Sequence, residues 1–257
     1  TPTSMDVREL SGLLESVEIA FDLKALEEYT LEAGRPDSID DDKLKAVKDS
    51  KVTRISINPQ TMNDRILLNI GRSHTARDVV RAFNLARDRG FGNINMDIIA
   101  GLPEESKDMF MHTLSEIRKL SPESLTVHTM AVKRASRLKE EIENFSLTCG
   151  QEVSEMLDAA YLCALDMGMH PYYLYRQKNI LGNLENTGYS KPGFEGIYNI
   201  QNMEEKQTII ALGAGAVSKV VYQEENRIER VFNVKNVEQY ILRIDEMLER
   251  KRQMVWR

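Results

Sequence analysis

The chain has 257 residues, of which 42% are hydrophobic and 29% charged, and this composition excludes a disordered or fibrous protein. The net charge of −6, with no stripe of lysine and arginine, argues against a nucleic-acid groove. No apolar run approaches the roughly 20 residues that a membrane span needs. Two cysteines, Cys149 and Cys163, are too few for a disulfide framework and predict a reducing, cytoplasmic setting.

The first half of the sequence alternates short β-branched runs with amphipathic helical stretches. Strands are predicted at 29–32, 52–58, 93–99 and 124–130. Helices are predicted at 41–47, around Ile66 and Leu67, from a Thr75 cap to Gly90, and along a stripe of Phe110, Leu114 and Ile117. The strand centres are separated by roughly the 30 residues of a βα unit. Right-handed crossovers then predict an α/β fold, in which parallel strands form a partial (β/α) barrel over residues 1–133.

Residues 134–257 are predicted to form a smaller α+β region. An amphipathic helix carries Val153, Met156, Leu157, Ala160 and Ala164, and an antiparallel pair joins 218–223 to 227–233. A last helix is predicted to begin at a capping box of Asn236 and Gln239. Its apolar face is formed by Val237, Tyr240, Ile241, Ile244 and Leu248.

Polar residues fall where the predicted parallel strands end, which is where such sheets bind ligands. Glu32 ends the first strand, Gln60 follows the second, Asp97 lies in the third and His128 in the fourth, while Arg72 lies in a loop after Gln60. Carboxylates accept from hydroxyl or ammonium groups, and a guanidinium pairs with a carboxylate. The set therefore indicates a site for a small zwitterionic ligand that carries hydroxyl groups.

Each of these residues also has a purely structural interpretation. Asp97, between Met96 and Ile98, is equally compatible with a buried carboxylate satisfied by backbone amides. Glu32 and Arg72 are compatible with an ion pair to each other, and His128 with a core histidine. The two cysteines lack the spacing of a metal site, and no metal ligand is predicted in this sequence.

A glycine-rich stretch, GAGA at 213–216, resembles half of a phosphate loop. It completes no nucleotide-binding motif, which favours a role in close backbone packing.

The motifs come in an order that resembles a known family. They are TPT at 1–3, TLEA at 30–33, RISINPQ at 54–60, IGR at 70–72, NMDIIAGLP at 95–103 and LTV at 125–127. In this order they resemble the barrel motifs of the radical S-adenosylmethionine (SAM) enzymes of the oxygen-independent coproporphyrinogen III oxidase group. Residues 172–179 and 213–219 resemble the coproporphyrinogen dehydrogenase branch of that group.

The resemblance implies a SAM site formed by Thr1, Glu32, Gln60, Arg72, Asp97, His128 and Ala131. Arg72 would meet the methionyl carboxylate, Gln60 and Asp97 the ribose, and His128 with Ala131 the adenine. Relatives often carry an aromatic residue at the adenine position, so the sequence departs from the group there.

The implied reaction is the oxidative decarboxylation of two propionate side chains of coproporphyrinogen III, which gives protoporphyrinogen IX in haem biosynthesis. Tyr175, Arg176 and Lys178 are the candidates for binding the tetrapyrrole substrate. A solvated strand end is the alternative for Arg176 and Lys178, and simple packing is the alternative for the tyrosines. The sequence does not identify the electron donor or acceptor.

The group also requires a C-x3-C-x2-C loop, whose thiolates bind a 4Fe-4S cluster. No such triplet is present, and the chain opens on Thr1-Pro2-Thr3 without an initiator methionine. We therefore expect a piece of a longer protein that has its cluster cysteines upstream, and we expect these 257 residues alone to be inactive.

Two other functions stay open. Relatives on the same scaffold bind and deliver haem, which makes a haem carrier the first alternative. Those carriers show a His-Asn…Tyr-Trp segment before their GAGA stretch. In that region of this sequence, residues 175–179 contain no histidine, and the single tryptophan is Trp256, so the resemblance favours the enzyme. The second alternative is a radical SAM enzyme with another substrate, because barrel motifs report the cofactor and not the substrate.

Overall fold

The structure is a computed structural model that describes residues 1–131, 150–176 and 184–255. The strands are β1 Thr30–Glu32, β2 Arg54–Ser56, β3 Ile94–Ala100, β4 Ser124–Thr129, β5 His170–Tyr175, β6 Asn186–Ser190, β7 Val217–Tyr222 and β8 Arg227–Phe232. The helices are α1 Val7–Ala20, α2 Asp41–Asp49, α3 Asp64–Asn69, α4 Ala76–Asp88, α5 Lys107–Leu120, α6 Gly150–Asp166, α7 Ile197–Met203, α8 Val237–Leu242 and α9 Ile244–Val255.

Within these residues a six-stranded sheet has the order β1-β2-β3-β4-β6-β5. Strands β1 to β4 pair in parallel in chain order. Strand β6 instead runs antiparallel to both β4 and β5. The mostly parallel sheet with helices confirms the predicted α/β class, whereas β5 and β6 were not among the predicted strands.

The register gives the sheet one apolar and one polar face, because side chains alternate along a strand and paired residues point the same way. The apolar face consists of Leu31, Ile55, Ile94, Met96, Ile98, Leu125 and Val127, which are all buried. They share one hydrophobic core with the inward stripes of α4, α5 and α6. The other face carries Glu32, Arg54, Ser56, Asn95, Asp97, Thr126 and His128, and we call it the polar face.

Two of the helices that cover the apolar face, α4 and α5, begin at side-chain caps. Thr75 accepts from the backbone amide of Asp78, whose carboxylate accepts from the amide of Thr75, so the predicted cap is confirmed as a capping box. Ser106 caps α5 by accepting from the amide of Met109. Each cap satisfies amide groups that a helix leaves unpaired at its first turn, which fixes where the helix leaves the sheet.

The chain divides into two compact units, Thr1–Gly196 and Ile197–Arg257. The boundary predicted between residues 133 and 134 lies outside the described residues. In the second unit, β7 and β8 confirm the predicted antiparallel pair.

The last helix is not continuous, contrary to the prediction. It ends at Leu242 and begins again at Ile244, and Arg243 lies at the break. The predicted apolar face is largely exposed rather than packed, with Val237 at 62% and Ile241 at 65% exposure. Asn236 does cap the first segment by accepting from the amide of Gln239.

The GAGA stretch forms a turn before β7. Gly213 and Gly215 have φ angles of 104° and 72°, a conformation that glycine adopts without steric cost. The Gly213 carbonyl accepts from the Asn233 amide at 2.7 Å, and the Gly215 amide donates to the Val234 carbonyl at 2.8 Å. These contacts support the packing role over a phosphate loop. No helix among the described residues has the length and apolarity to cross a bilayer.

Candidate functional site

The polar face places two predicted site carboxylates together. Glu32 ends β1, and the β1–β2–β3 register puts it on the same face as Asp97 of β3. Glu32 is exposed, but the surrounding protein removes part of the water around its carboxyl group, and this desolvation raises its pKa. The negative charge of Asp97 raises the pKa further. The charge of Arg54 and hydrogen bonds with Ser56 and Asn58 oppose this rise. The pair thus concentrates negative charge beside a solvent-accessible space.

Asp97 is held by side chains on either side of it. Asn95 donates its amide to one carboxylate oxygen at 2.7 Å, and Nε2 of His128 lies 3.7 Å from the other. The partners of the Asp97 carboxylate are therefore side chains, which argues against the backbone-amide interpretation. The hydroxyl of Tyr175 on β5 lies 3.5 Å from Nδ1 of His128. A chain of polar groups thus links the β5–β6 hairpin to Asp97.

Gln60 follows β2 and continues its pairing with β3. Its amide donates to the Asp97 carbonyl at 3.0 Å, and its carbonyl accepts from Ile99 at 2.9 Å. The residue has a φ of 68°, in the left-handed region that non-glycine residues rarely adopt. The two backbone bonds hold this conformation and place Gln60 directly beside Asp97.

Arg72 belongs to a second polar group in the loop between α3 and α4. Its guanidinium is half-buried beside Arg35 and Asp37. Burial lowers the pKa of Arg72 most, and the positive charge of Arg35 lowers it further, whereas the negative charge of Asp37 raises it. Asp37 itself lies 3.2 Å from Arg35. No carboxylate of the described residues lies within ion-pair distance of Arg72, so the alternative of an ion pair with Glu32 is not realised. Arg72 is therefore available to an anion.

His74 connects this group to Gln60. Its Nε2 lies 3.2 Å from the carbonyl of Pro59, the residue before Gln60. Burial lowers the pKa of His74, which favours the neutral ring. The imidazole therefore supports the loop between β2 and α3, residues 57–63, without adding positive charge. We call this segment the Gln60 loop.

The first residues of the chain lie against the end of β1. The Thr3 hydroxyl donates to the Ala33 carbonyl at 2.8 Å, and Lys43 donates to the Thr3 carbonyl at 2.9 Å. Thr1 lies beside Gly34, where an added Cβ would come within 3.1 Å of its hydroxyl oxygen. Thr1 thus lies beside the segment that follows Glu32 in the chain.

Three predicted residues remain. Ala131 is half-buried just after β4. Arg176 is paired with Glu185 at 3.0 Å rather than turned to an open carboxylate site. Lys178 lies outside the described residues.

The described residues do not fit an iron–sulfur cluster. No group of three or more histidine, cysteine or acidic side chains among them is arranged to hold a metal ion. The Cys163 thiol is half-buried on α6, where burial raises its pKa, and it lies 3.8 Å from the Leu114 carbonyl. Cys149 is outside the described residues.

Several residues of the polar face were not predicted as site residues. Arg54 is buried and donates to Ser124 at 3.2 Å. Asn95 lies two residues before Asp97 on β3, and Thr126 is the partner of Asp97 on β4. The strict alternation of RISIN at 54–58 and SLTVH at 124–128 contains this signal, because every second residue is polar.

Comparison with known proteins agrees with this architecture. Residues 9–117 match the Radical SAM superfamily. Coproporphyrinogen III oxidase (HemN) from Escherichia coli has a similar structure, with a TM-score of 0.72 and 20% identity over 96% of this chain and 55% of that one. The chain therefore contains a radical SAM domain with a HemN-like fold.

More specific similarity comes from two Bacillus subtilis (strain 168) proteins. The chain is 46% identical to the oxygen-independent coproporphyrinogen-III oxidase-like protein HemZ over 252 residues, which cover 98% of this chain and 50% of that protein. It is 28% identical to the heme chaperone HemW over 219 residues, 84% of this chain and 54% of that protein. The resemblance to the coproporphyrinogen oxidase group is confirmed, and the chain spans about half the length of these relatives.

Proposed function

We propose that these residues form the SAM-side and substrate-side part of a radical SAM oxidoreductase that decarboxylates coproporphyrinogen III without oxygen. The observation that carries the proposal is the polar face, on which Glu32 and Asp97 lie together, with the backbone of Gln60 bonded to that of Asp97. The 46% identity to an oxidase-like protein supports the same group of reactions.

The donor and acceptor groups fit SAM. The Asp97 carboxylate and the side-chain amide of Gln60 offer hydrogen-bonding groups to ribose hydroxyls. The Glu32–Asp97 pair offers negative charge to a ligand that carries ammonium and sulfonium charges. Arg72, half-buried without an ion-pair partner among the described residues, offers a guanidinium to the methionyl carboxylate. Thr1 near Gly34 and His128 near Asp97 complete the proposed contacts, with Ala131 toward the adenine.

Bound SAM and its cluster would supply the radical chemistry that converts a propionate into a vinyl group with loss of carbon dioxide, the hydrogen atom passing to the SAM-derived fragment and the remaining electron to an external one-electron acceptor. The chain's own residues bind and orient the reactants. The cluster ligands have to come from outside the described residues, since these offer no suitable set.

The tetrapyrrole is proposed to lie against the tyrosines of β5. Tyr173 and Tyr175 stack with ring planes 6° apart and centroids 6.2 Å apart, and burial raises the pKa of Tyr173. The two rings are thus parallel, and the Tyr175 hydroxyl lies beside His128. Arg176 would have to leave Glu185 to meet a substrate carboxylate, and Lys178 is the second proposed cation.

The deciding experiment uses the complete protein, reconstituted anaerobically with iron and sulfide and supplied with SAM, reductant and coproporphyrinogen III. We expect 5′-deoxyadenosine and protoporphyrinogen to form in proportion. Deoxyadenosine without protoporphyrinogen would indicate a radical SAM enzyme with another substrate. Neither product, despite a formed cluster, would contradict an enzymatic role.

The similarity to heme chaperones makes a haem carrier the second candidate. Titration with haem while following the Soret band separates the two functions. Tight stoichiometric binding without decarboxylation would favour the carrier.

Removal of the Arg72 guanidinium or the Asp97 charge is expected to weaken SAM binding and leave the fold intact. Hydrogen bonds to charged groups contribute about 1.5–3 kcal/mol, so Arg72→Ala and Asp97→Asn should each raise the Kd for SAM by roughly tenfold or more. Isothermal titration measures the Kd, and circular dichroism checks the fold. Arg81→Ala, at an exposed arginine of α4, is the matched control. Loss of folding without a separable binding defect would support the purely structural interpretation.

A further inference from the structure

A buried carboxyl group lies behind the Gln60 loop, on the side away from the polar face. Glu105 lies between β3 and α5 and is 1% exposed. The hydroxyl of Thr61, the residue after Gln60, donates to Glu105 at 2.6 Å. The Glu105 carboxyl group is thus bonded directly to Thr61, the neighbour of the proposed SAM-binding residue Gln60.

The same hydroxyl joins Glu105 to a wider buried cluster. Asn63 donates its amide to Thr61 at 2.9 Å, and the Thr61 and Thr113 hydroxyls are 3.1 Å apart. The amide of Met62 donates to the Thr113 hydroxyl at 3.0 Å. Residues 61–63 are therefore fixed to α5 through side chains whose donors and acceptors are arranged around Glu105.

Gln60 needs such support because of its backbone conformation. A non-glycine residue at a φ of 68° persists only where its neighbours fix it. Its own bonds to Asp97 and Ile99 hold it on the β3 side, and the Thr61–Glu105 bond holds the chain immediately after it.

We propose that Glu105 is a positioning residue: through Thr61 it holds the Gln60 loop in the shape that binds SAM, and it does so most firmly when ionised. The inference rests on the proposed SAM site. An ionised carboxylate accepts a stronger hydrogen bond from the Thr61 hydroxyl than a neutral acid does. Protonation of Glu105 therefore loosens the loop.

The protonation of Glu105 changes near neutral pH. Burial raises its pKa to about 7, while hydrogen bonds from Thr61 and Asn63 oppose the rise. Charged or titratable side chains on the adjoining segments are Asp64, Glu104, Lys107, Asp108, His112 and Glu152. The raised value thus follows chiefly from burial of the carboxyl group.

The test measures SAM affinity and amide exchange at Met62 between pH 6 and 8 in the complete, cluster-loaded protein. At pH 8 we expect the wild type to bind SAM about fivefold more tightly than the Glu105→Gln variant does, and we expect this difference to vanish at pH 6. Exchange at Met62, corrected for its intrinsic pH dependence, should speed up below pH 7 in the wild type. Glu105→Ala should exchange rapidly at every pH.

Two comparisons isolate the effect. The proposed SAM-site residues are the same in both proteins, so any pH dependence that they cause cancels in the difference between wild type and Glu105→Gln. Glu104→Gln, at the adjacent exposed acid bonded to Asn69, should behave as the wild type. Unchanged exchange and SAM affinity in both Glu105 variants would overturn the inference. If SAM fails to bind the wild type, the proposed function fails, and the exchange at Met62 alone then shows whether Glu105 holds the loop.

Discussion

Gly188→Ala should lower the free energy of unfolding by about 3 kcal/mol, at the upper end of what overpacking a buried position costs. Gly188 on β6 pairs with both Thr126 of β4 and Tyr173 of β5. A Cβ atom there would overlap Cε1 of Tyr173 and lie 2.8 Å from Cζ. The ring would have to leave its buried position on the polar face. Because Tyr175 stacks on Tyr173, the hairpin next to His128 would be disturbed as well.

Urea unfolding of the variant measures this cost. Gly92→Ala is the matched control, because nothing lies within 4 Å of a Cβ at that position. Adding Tyr173→Ala to Gly188→Ala should recover part of the loss, since the methyl group would then occupy space that the ring vacates. An unfolding midpoint of Gly188→Ala equal to that of Gly92→Ala would show that the ring moves without cost.

The first four strands could be predicted from the sequence because the information is local. Residues such as Ile55 and Ile57, or Met96 and Ile98, alternate with polar neighbours, and the helices that follow β1 and β3 begin at side-chain caps. The β5–β6 hairpin could not be predicted in this way. Its pairing depends on Gly188, where the missing side chain makes room for Tyr173, and this fit is visible only once distant segments are in register.

The same distinction between local and long-range information applies to the residues of the candidate site. Glu32, Asp97 and His128 follow from their positions in predicted parallel strands, and the structure places them on one face. The partners of Asp97, among them Asn95, depend on side-chain direction and register. Arg176 shows the limit most clearly, because its partner Glu185 belongs to the hairpin that local patterns did not predict.

The helix break at Arg243 is a further case. The sequence around it contains neither glycine nor proline, so the apolar spacing from Val237 to Leu248 favours one continuous helix. In the structure the Arg243 amide still donates to the Gln239 carbonyl, but its φ and ψ of −113° and 26° end the segment. Local propensity is too weak to predict such an interruption.

Glu105→Gln is expected to make the protein more stable at pH 8 by about 2 kcal/mol while weakening its hold on the Gln60 loop. The pKa of Glu105 is raised from 4.5 to about 7, so the folded state binds its proton more tightly than the unfolded state does. Stability contributed by this proton is full below pH 4.5 and is lost as the pH rises through 7. The loss is on the order of 3 kcal/mol, and a neutral glutamine avoids most of it.

Urea unfolding at pH 5, 6.5 and 8 measures the difference between the variant and the wild type. It should grow with pH, whereas Glu104→Gln at the exposed neighbour should show no such trend. A difference that is constant with pH would mean that Glu105 ionises in the folded state as it does in the unfolded chain. The sign of the change in unfolding free energy distinguishes two possible roles of Glu105. A side chain that only supports the fold would change stability and SAM affinity in the same direction, whereas a positioning carboxylate gives a variant that is more stable at pH 8 and binds SAM less well.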